Sequence, residues 1–96
     1  MATFIHLISF TDQGIRTVKD SPDRFEAYKA MAEKLGGKVK GVYYTMGQYD
    51  MLVILEATDE LAMTAILKVG SLGNVRTVTL RGFSLEEMKK IISKMP

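Results

Sequence analysis

Apolar residues recur at every second position in some segments of this chain and at every third or fourth position in others. Residues 3–10 are rich in β-branched and aromatic side chains, which predicts a first strand. Turn-forming residues follow at positions 11–14. Residues 15–20 show no clear period and fit a short helical turn as well as a loop.

A first long helix is predicted after this turn. Ser21 can cap its start, Pro22 suits the first helical position, and Asp23 suits the positive end of the helix dipole. Apolar side chains then follow at helical spacing, namely Phe25, Tyr28, Ala32 and Leu35. The glycine pair at positions 36–37 ends the helix, because glycine accepts the left-handed backbone conformation found there.

Two further strands are predicted at residues 38–46 and 51–55. Lysines alternate along the start of the first, as on an edge strand, and the second is apolar at every position. Because only a few residues separate them, they are predicted to form an antiparallel hairpin.

The remaining pattern predicts a helix over residues 61–69 that begins near Thr58, a fourth strand over residues 74–83 and a last helix. A capping box at residues 84–87 opens this last helix, which carries apolar residues on one face and lysines on the other. The order is β-α-β-β-α-β with an extra C-terminal helix, the ferredoxin-like α+β plan. Residues 1–96 therefore predict one domain with a four-stranded antiparallel sheet of order 4-1-3-2.

Helices can cover only one face of this sheet, yet two strands are apolar on both faces. The strand at 51–55 has no polar position, and the first strand places Ile5 and Leu7 on one face and Phe4, Ile8 and Phe10 on the other. A large exposed apolar face is unfavourable in a monomer. We therefore predict a homodimer in which a second copy packs its sheet against the first. The alternative is that the C-terminal helix covers this face.

Composition excludes several classes of function. With 47% apolar and 25% charged residues the chain is typical of a globular protein. It has no cysteine and one histidine, which excludes disulfides, thiolate metal sites and a multi-histidine site, so no metal or cofactor is expected. A net charge of +2 gives no reason to expect nucleic acid or a membrane as partner. We expect no signal peptide, and the absence of cysteine fits a cytoplasmic location.

Three short strings carry a resemblance to a known family. Residues 47–50, Gly-Gln-Tyr-Asp, followed by the apolar run 51–56, resemble the signature of the GYD-domain family. Residues 72–77 with 79–81, and residues 10–14 with 20–22, match in the same order and spacing. Gln48 separates the glycine from the Tyr-Asp pair, which is the usual form of the signature. The resemblance implies a dimeric α+β barrel, in which two sheets enclose a shared interior, and it implies no defined activity.

The candidate catalytic residues are Tyr49, Asp50 and His6. Tyr49 and Asp50 fit a structural role in the turn, with the Asp50 carboxylate capping backbone N–H groups. They also fit a functional role, with Asp50 as a base and Tyr49 as a hydrogen-bond donor at the mouth of a pocket. His6 could serve as a general base, or it could be a hydrogen-bonded interior histidine.

The candidate ligand-binding residues come from two strands. If Val78 and Leu80 meet the helices, the other side of the fourth strand faces the barrel interior, and His6 joins it there. Arg81 could then bind a carboxylate or phosphate, or pair with an acidic residue. The full predicted set is Thr77, Thr79, Arg81 and Tyr43.

Two functions compete at this stage. The first is a homo-oligomeric module that binds a small molecule in the dimeric barrel or serves in a larger assembly. The second is a cofactor-independent enzyme, such as a monooxygenase or isomerase, that acts on a small aromatic or anionic substrate. Analogy with other dimeric α+β barrels allows both, because fold does not determine function.

Overall fold

Four antiparallel strands form one sheet in the computed structural model, which describes residues Met1–Pro96. The strands are β1 (Ala2–Phe10), β2 (Lys38–Tyr44), β3 (Met51–Ala57) and β4 (Val75–Gly82). Their order across the sheet is β2-β3-β1-β4. This confirms the predicted order 4-1-3-2, which is the same series counted from the other edge.

The helices are α1 (Asp12–Arg16), α2 (Ser21–Lys34), α3 (Asp59–Ser71) and α4 (Leu85–Ser93), with a 3-10 turn at Val18–Asp20. The hydroxyl of Thr58 caps α3, and the predicted capping box opens α4. The predicted capping role of Ser21 is wrong. Ser21 lies inside α2, and its buried hydroxyl is 2.8 Å from the hydroxyl of Tyr44, so it ties α2 to β2.

The core lies between one face of the sheet and the pair α2 and α3. One buried cluster joins small side chains of the helices, Ala32 and Ala62, to Leu55 of β3. A second cluster contains Ile8 and Val53. Alanine at these helical positions lets the helix backbones approach the sheet closely, so the core is shallow and continuous along β3.

The predicted assignment of the two sheet faces is wrong for β1 and β4. His6 is 3% exposed and lies opposite Val53 of β3 and Thr79 of β4, so it points to the helices. Leu80 pairs with Ile5 and lies on the open face. The reason is the orientation of β4, whose polar side chains face the helices and whose apolar side chains face outward. Antiparallel strands usually have the opposite orientation, so alternation alone predicts the wrong face.

The open face of the sheet has no cover within the chain. None of the residues of α4 is buried, and its apolar residues Leu85 to Ile92 are 46–72% exposed, so α4 does not cover this face. The chain has 6726 Å² of accessible surface, against roughly 5,500 Å² for a folded monomer of this mass. Its radius of gyration is 14.6 Å, against about 12.5 Å for a compact chain of this length. No helix is long and apolar enough to cross a membrane.

Candidate functional site

A cavity of about 380 Å³ lies between the sheet and the helices α2 and α3. Ligand pockets in proteins commonly measure about 300–1,000 Å³, so this cavity is large enough for a small molecule. Most of its lining is apolar and comes from β1, β3, β4 and α2. The apolar lining includes Ile8, Phe25, Met31, Met51, Val53 and Val75.

His6 places an imidazole on the sheet side of this cavity. Its Nδ1 lies 2.9 Å from the hydroxyl oxygen of Thr79, while its Nε2 is buried and has no hydrogen-bond partner. Burial lowers the pKa of His6 below 6.5, because the charged imidazolium loses hydration. The imidazole is therefore neutral at neutral pH, with Nδ1 fixed by Thr79 and Nε2 buried.

Tyr28 of α2 also lines the cavity and carries a second buried polar atom. Its hydroxyl is buried without a hydrogen-bond partner, and burial raises the pKa of Tyr28 to about 12. Its ring lies 6.1 Å from the ring of Phe25 at an angle of 35°. No group of three or more His, Asp or Glu side chains that could hold a metal ion is present.

The predicted ligand-binding residues are divided between the two faces of the sheet. Thr77 lines the cavity, and Thr79 contacts His6. Arg81 is exposed outside the cavity, with its guanidinium 4.5 Å from the ring centre of Phe83. It makes no ion pair within the chain, where the one ion pair joins Lys89 and Glu86.

Tyr43 lies on the open face of the sheet, opposite Leu52, and is 64% exposed. The prediction that Thr77, Thr79, Arg81 and His6 lie on the open face is wrong, because these side chains lie on the helix side of the sheet. Tyr43 is the one predicted ligand-binding residue on the open face.

Tyr49 and Asp50 lie outside the lining of the cavity and anchor the β2–β3 connection. The Asp50 carboxylate accepts a hydrogen bond from the backbone N–H of Phe10 at 2.8 Å, and the Asp50 N–H donates to the carbonyl of Ile8 at 2.8 Å. Gly47 has a φ of +113°, a conformation that favours glycine. This geometry supports the structural interpretation of Asp50, which caps the end of β1.

The two other family-like strings meet each other at the same end of the sheet. The Thr11 hydroxyl donates to the carbonyl of Gly73 at 2.6 Å, and the Thr11 N–H donates to the carbonyl of Asn74 at 3.1 Å. A Cβ at Gly14 would lie 1.9 Å from that Asn74 carbonyl oxygen, so only glycine allows this approach. Asn74 also lines the cavity, and these contacts therefore fix one of its walls.

Sequence reasoning missed Tyr28 as a functional candidate. Its position in a helical stripe of apolar residues predicted a core aromatic, and nothing in the pattern shows that its hydroxyl lacks a partner. His6 was detectable, because a lone histidine in an apolar strand is unusual, but alternation assigned it to the wrong face.

The comparisons with known proteins agree on one family. The model of the GYD domain matches residues 4–92. A protein of Thermus thermophilus named "Glutamine synthetase and cystathionine beta-lyase binding protein" is 32% identical to this chain over 90 residues, which cover 92% of this chain and 95% of the relative. The chain belongs to the GYD-domain family.

Proposed function

We propose that this chain is a homo-oligomeric binding module. Two copies pack through the open faces of their sheets, each copy holds a small molecule, and the assembly presents its outer surface to a protein partner. The single observation that carries the proposal is the uncovered apolar face of the sheet. A large contiguous apolar patch exposed on a small protein marks an interaction surface.

All four strands contribute apolar side chains to the open face. By strand pairing they are Ile5, Leu7, Tyr43, Leu52, Ile54, Val78 and Leu80. A stable protein interface buries roughly 800 Å² on each partner. The chain carries about 1,200 Å² more surface than a folded monomer of its mass, and the open face and the exposed helix α4 both contribute to this excess.

A protein partner is supported by the Thermus relative, which is named for binding two enzymes. The exposed amphipathic helix α4 offers a surface of the kind used in helix–partner contacts. We place the protein in the cytoplasm, where a cysteine-free chain suits the reducing environment.

We place the small-molecule site in the cavity between the sheet and α2 and α3, and not in the interior between two sheets. The cavity is enclosed by one chain, whereas the open face is the surface that we propose a second copy covers. A cofactor-independent enzyme is the second candidate function, because His6, the one histidine of the chain, lines this cavity. No second titratable group with a comparable placement supports such a reaction, since Tyr49 and Asp50 lie outside the cavity lining.

Sedimentation velocity tests the assembly. Leu80→Lys places a charge on the open face, and Leu67→Lys places the same charge on the outer surface of α3; the two leucines are 46% and 64% exposed. We expect the unmodified chain and Leu67→Lys to sediment as dimers or multiples of dimers at micromolar concentration, and Leu80→Lys to dissociate. Circular dichroism checks that both variants fold. A monomeric unmodified chain, or equal association of both variants, contradicts the proposal.

A further inference from the structure

We propose that the cavity binds an amphipathic carboxylic acid. Its apolar body lies against the sheet, and its carboxylate lies at the mouth of the cavity, the solvent-facing rim that contains Arg24 and Lys68. The inference rests on the small-molecule role proposed above and names the class of ligand. It concerns each copy by itself and does not require the dimer.

The floor of the cavity is apolar. Ile8, Met51 and Val53 of the sheet line it and are buried. Phe25 and Met31 of α2 add an aromatic ring and a flexible, polarisable side chain that adapts to the shape of a ligand. A lining of this kind favours a ligand body that consists of carbon.

Two of the lining residues have polar atoms that a ligand does not reach. Nε2 of His6 and the hydroxyl of Tyr28 are both buried, so neither offers a hydrogen bond to a molecule in the cavity. The part of the ligand that lies on the floor therefore needs no polar group. With a volume of about 380 Å³, the cavity is large enough for a bicyclic hydrocarbon.

The mouth of the cavity carries positive charge and no negative charge. Arg24 of α2 and Lys68 of α3 belong to the lining, and no acidic side chain does. Arg24 is half-buried and Lys68 is exposed, whereas the residues of the floor are buried, so both cations lie toward solvent. Neither cation forms an ion pair within the chain, where the one ion pair joins Lys89 and Glu86. Two unpaired cations on the helices that enclose the cavity favour an anionic group at its mouth.

The guanidinium of Arg24 is held in place and still has free donors. Its Nη1 donates to the carbonyl and the hydroxyl of Thr17, both at 3.0 Å, and its Nη2 donates to the carbonyl of Gly14 at 3.3 Å. Nε makes no hydrogen bond within the chain, and Nη2, which carries two hydrogens, makes one. Because these acceptors are neutral, they position the guanidinium without neutralising its charge. A carboxylate accepts charge-assisted bonds from such planar donors, which makes it the group that fits this position.

Nuclear magnetic resonance titration of the full chain with 1-naphthoate and with naphthalene tests the inference, since the two probes share their rings and differ in the carboxylate. Methionine methyl resonances locate the site. Met31 and Met51 line the cavity, whereas Met46 lies in the β2–β3 connection and is fully exposed.

Two variants each remove one charge from the mouth, Lys68→Gln and Arg24→Gln. The matched control is Lys34→Gln, because Lys34 is an exposed lysine in the last turn of α2, as Lys68 is in the last turn of α3, and it does not line the cavity. Circular dichroism checks that the variants fold. Lys68→Gln makes the same test if Arg24→Gln is unfolded through loss of its bonds to Thr17 and Gly14.

We expect 1-naphthoate to bind more tightly than naphthalene and to shift the methyl resonances of Met31 and Met51 but not that of Met46. Lys68→Gln should weaken 1-naphthoate about two- to fivefold, the effect of one exposed ion pair. Arg24→Gln should weaken it about tenfold, because hydrogen bonds to a charged group are stronger. Neither variant should change the affinity for naphthalene, and Lys34→Gln should change neither affinity.

Failure of 1-naphthoate to bind, or a shift at Met46 without one at Met31 and Met51, overturns the inference. Equal losses of affinity in Lys68→Gln and Lys34→Gln also overturn it. If naphthalene binds in the cavity as tightly as 1-naphthoate, the small-molecule role stands and the assignment of an acid is wrong. Sedimentation of the same samples separates the ligand from the assembly, because a monomer that binds 1-naphthoate refutes the assembly and leaves the ligand site intact.

Discussion

Thr79 and His6 face each other across β4 and β1, with the threonine hydroxyl 2.9 Å from Nδ1 of the imidazole. This one cross-strand hydrogen bond fixes the ring, while Nε2 is buried and has no partner. The polar side chains of β4 therefore lie on the helix side of the sheet, where larger apolar side chains would fill the cavity. The consequence is that the apolar set of β4 lies outward and enlarges the open face.

The lowered pKa of His6 should make the stability of the fold depend on pH. Burial lowers its pKa in the folded state below 6.5, so the unfolded chain takes up a proton more readily. The stability contributed by neutral His6 is therefore complete above about pH 6.5 and declines as the pH falls toward the folded-state pKa. Nuclear magnetic resonance titration of the single imidazole measures its folded-state pKa. A folded-state pKa at or above 6.5 would show that the ring is hydrated or paired with an acid.

Tyr28→Phe should stabilise the ligand-free protein. The variant keeps the ring and removes a buried hydroxyl that has no partner, and relief of such a group is worth about 1 kcal/mol in the free energy of unfolding. Urea denaturation measures the change. Tyr43→Phe, on a side chain that is 64% exposed, should change stability by less than about 0.5 kcal/mol. A loss of stability in Tyr28→Phe would mean that the hydroxyl is satisfied by water.

Asp50→Ala should destabilise the fold by about 1–3 kcal/mol, because the backbone N–H of Phe10 loses its acceptor. Asp50→Asn should cost less, since its amide oxygen can accept the same bond. The control is Asp23→Ala at an exposed position in the first turn of α2, where the expected loss is a few tenths of a kcal/mol. Urea denaturation measures the loss of unfolding free energy in each variant. Equal losses for Asp50→Ala and Asp23→Ala would show that Asp50 does not anchor the β2–β3 connection.

Alanine substitutions at two glycines should change the stability of the fold in opposite directions. Gly14→Ala should destabilise by about 3 kcal/mol or more, because its Cβ would lie 1.9 Å from the backbone oxygen of Asn74. Gly70→Ala in α3 should stabilise by about 0.5 kcal/mol, since no atom lies near its Cβ and alanine favours the helix. Thermal unfolding of both variants measures the signs. Tolerance of Gly14→Ala would show that the contact between α1 and Asn74 can adjust.

The sequence predicted the element order and the strand order well, because caps, glycine turns and helical spacing are local signals. It also predicted the open apolar face, since β3 has no polar position between Met51 and Leu55. It failed on which face β1 and β4 present to the helices. Alternation defines two sets of side chains on each strand, and only the pairing of β1 with β3 and of β4 with β1 decides which set faces the helices.

The candidate site was predictable only in part for the same reason. His6, Thr77 and Thr79 were identified as residue types that could carry chemistry, but their meeting with Tyr28 depends on how α2 packs on the sheet. That packing is a long-range property. A hydroxyl left without a partner cannot be recognised from spacing along the chain.

Native mass spectrometry of freshly purified protein under gentle desolvation tests the central claim, a homo-oligomeric binding module, most directly. We expect a dimer, or a multiple of a dimer, that carries one small molecule per copy. A monomer at micromolar concentration would contradict it, because the apolar open face would then be exposed to water without a partner.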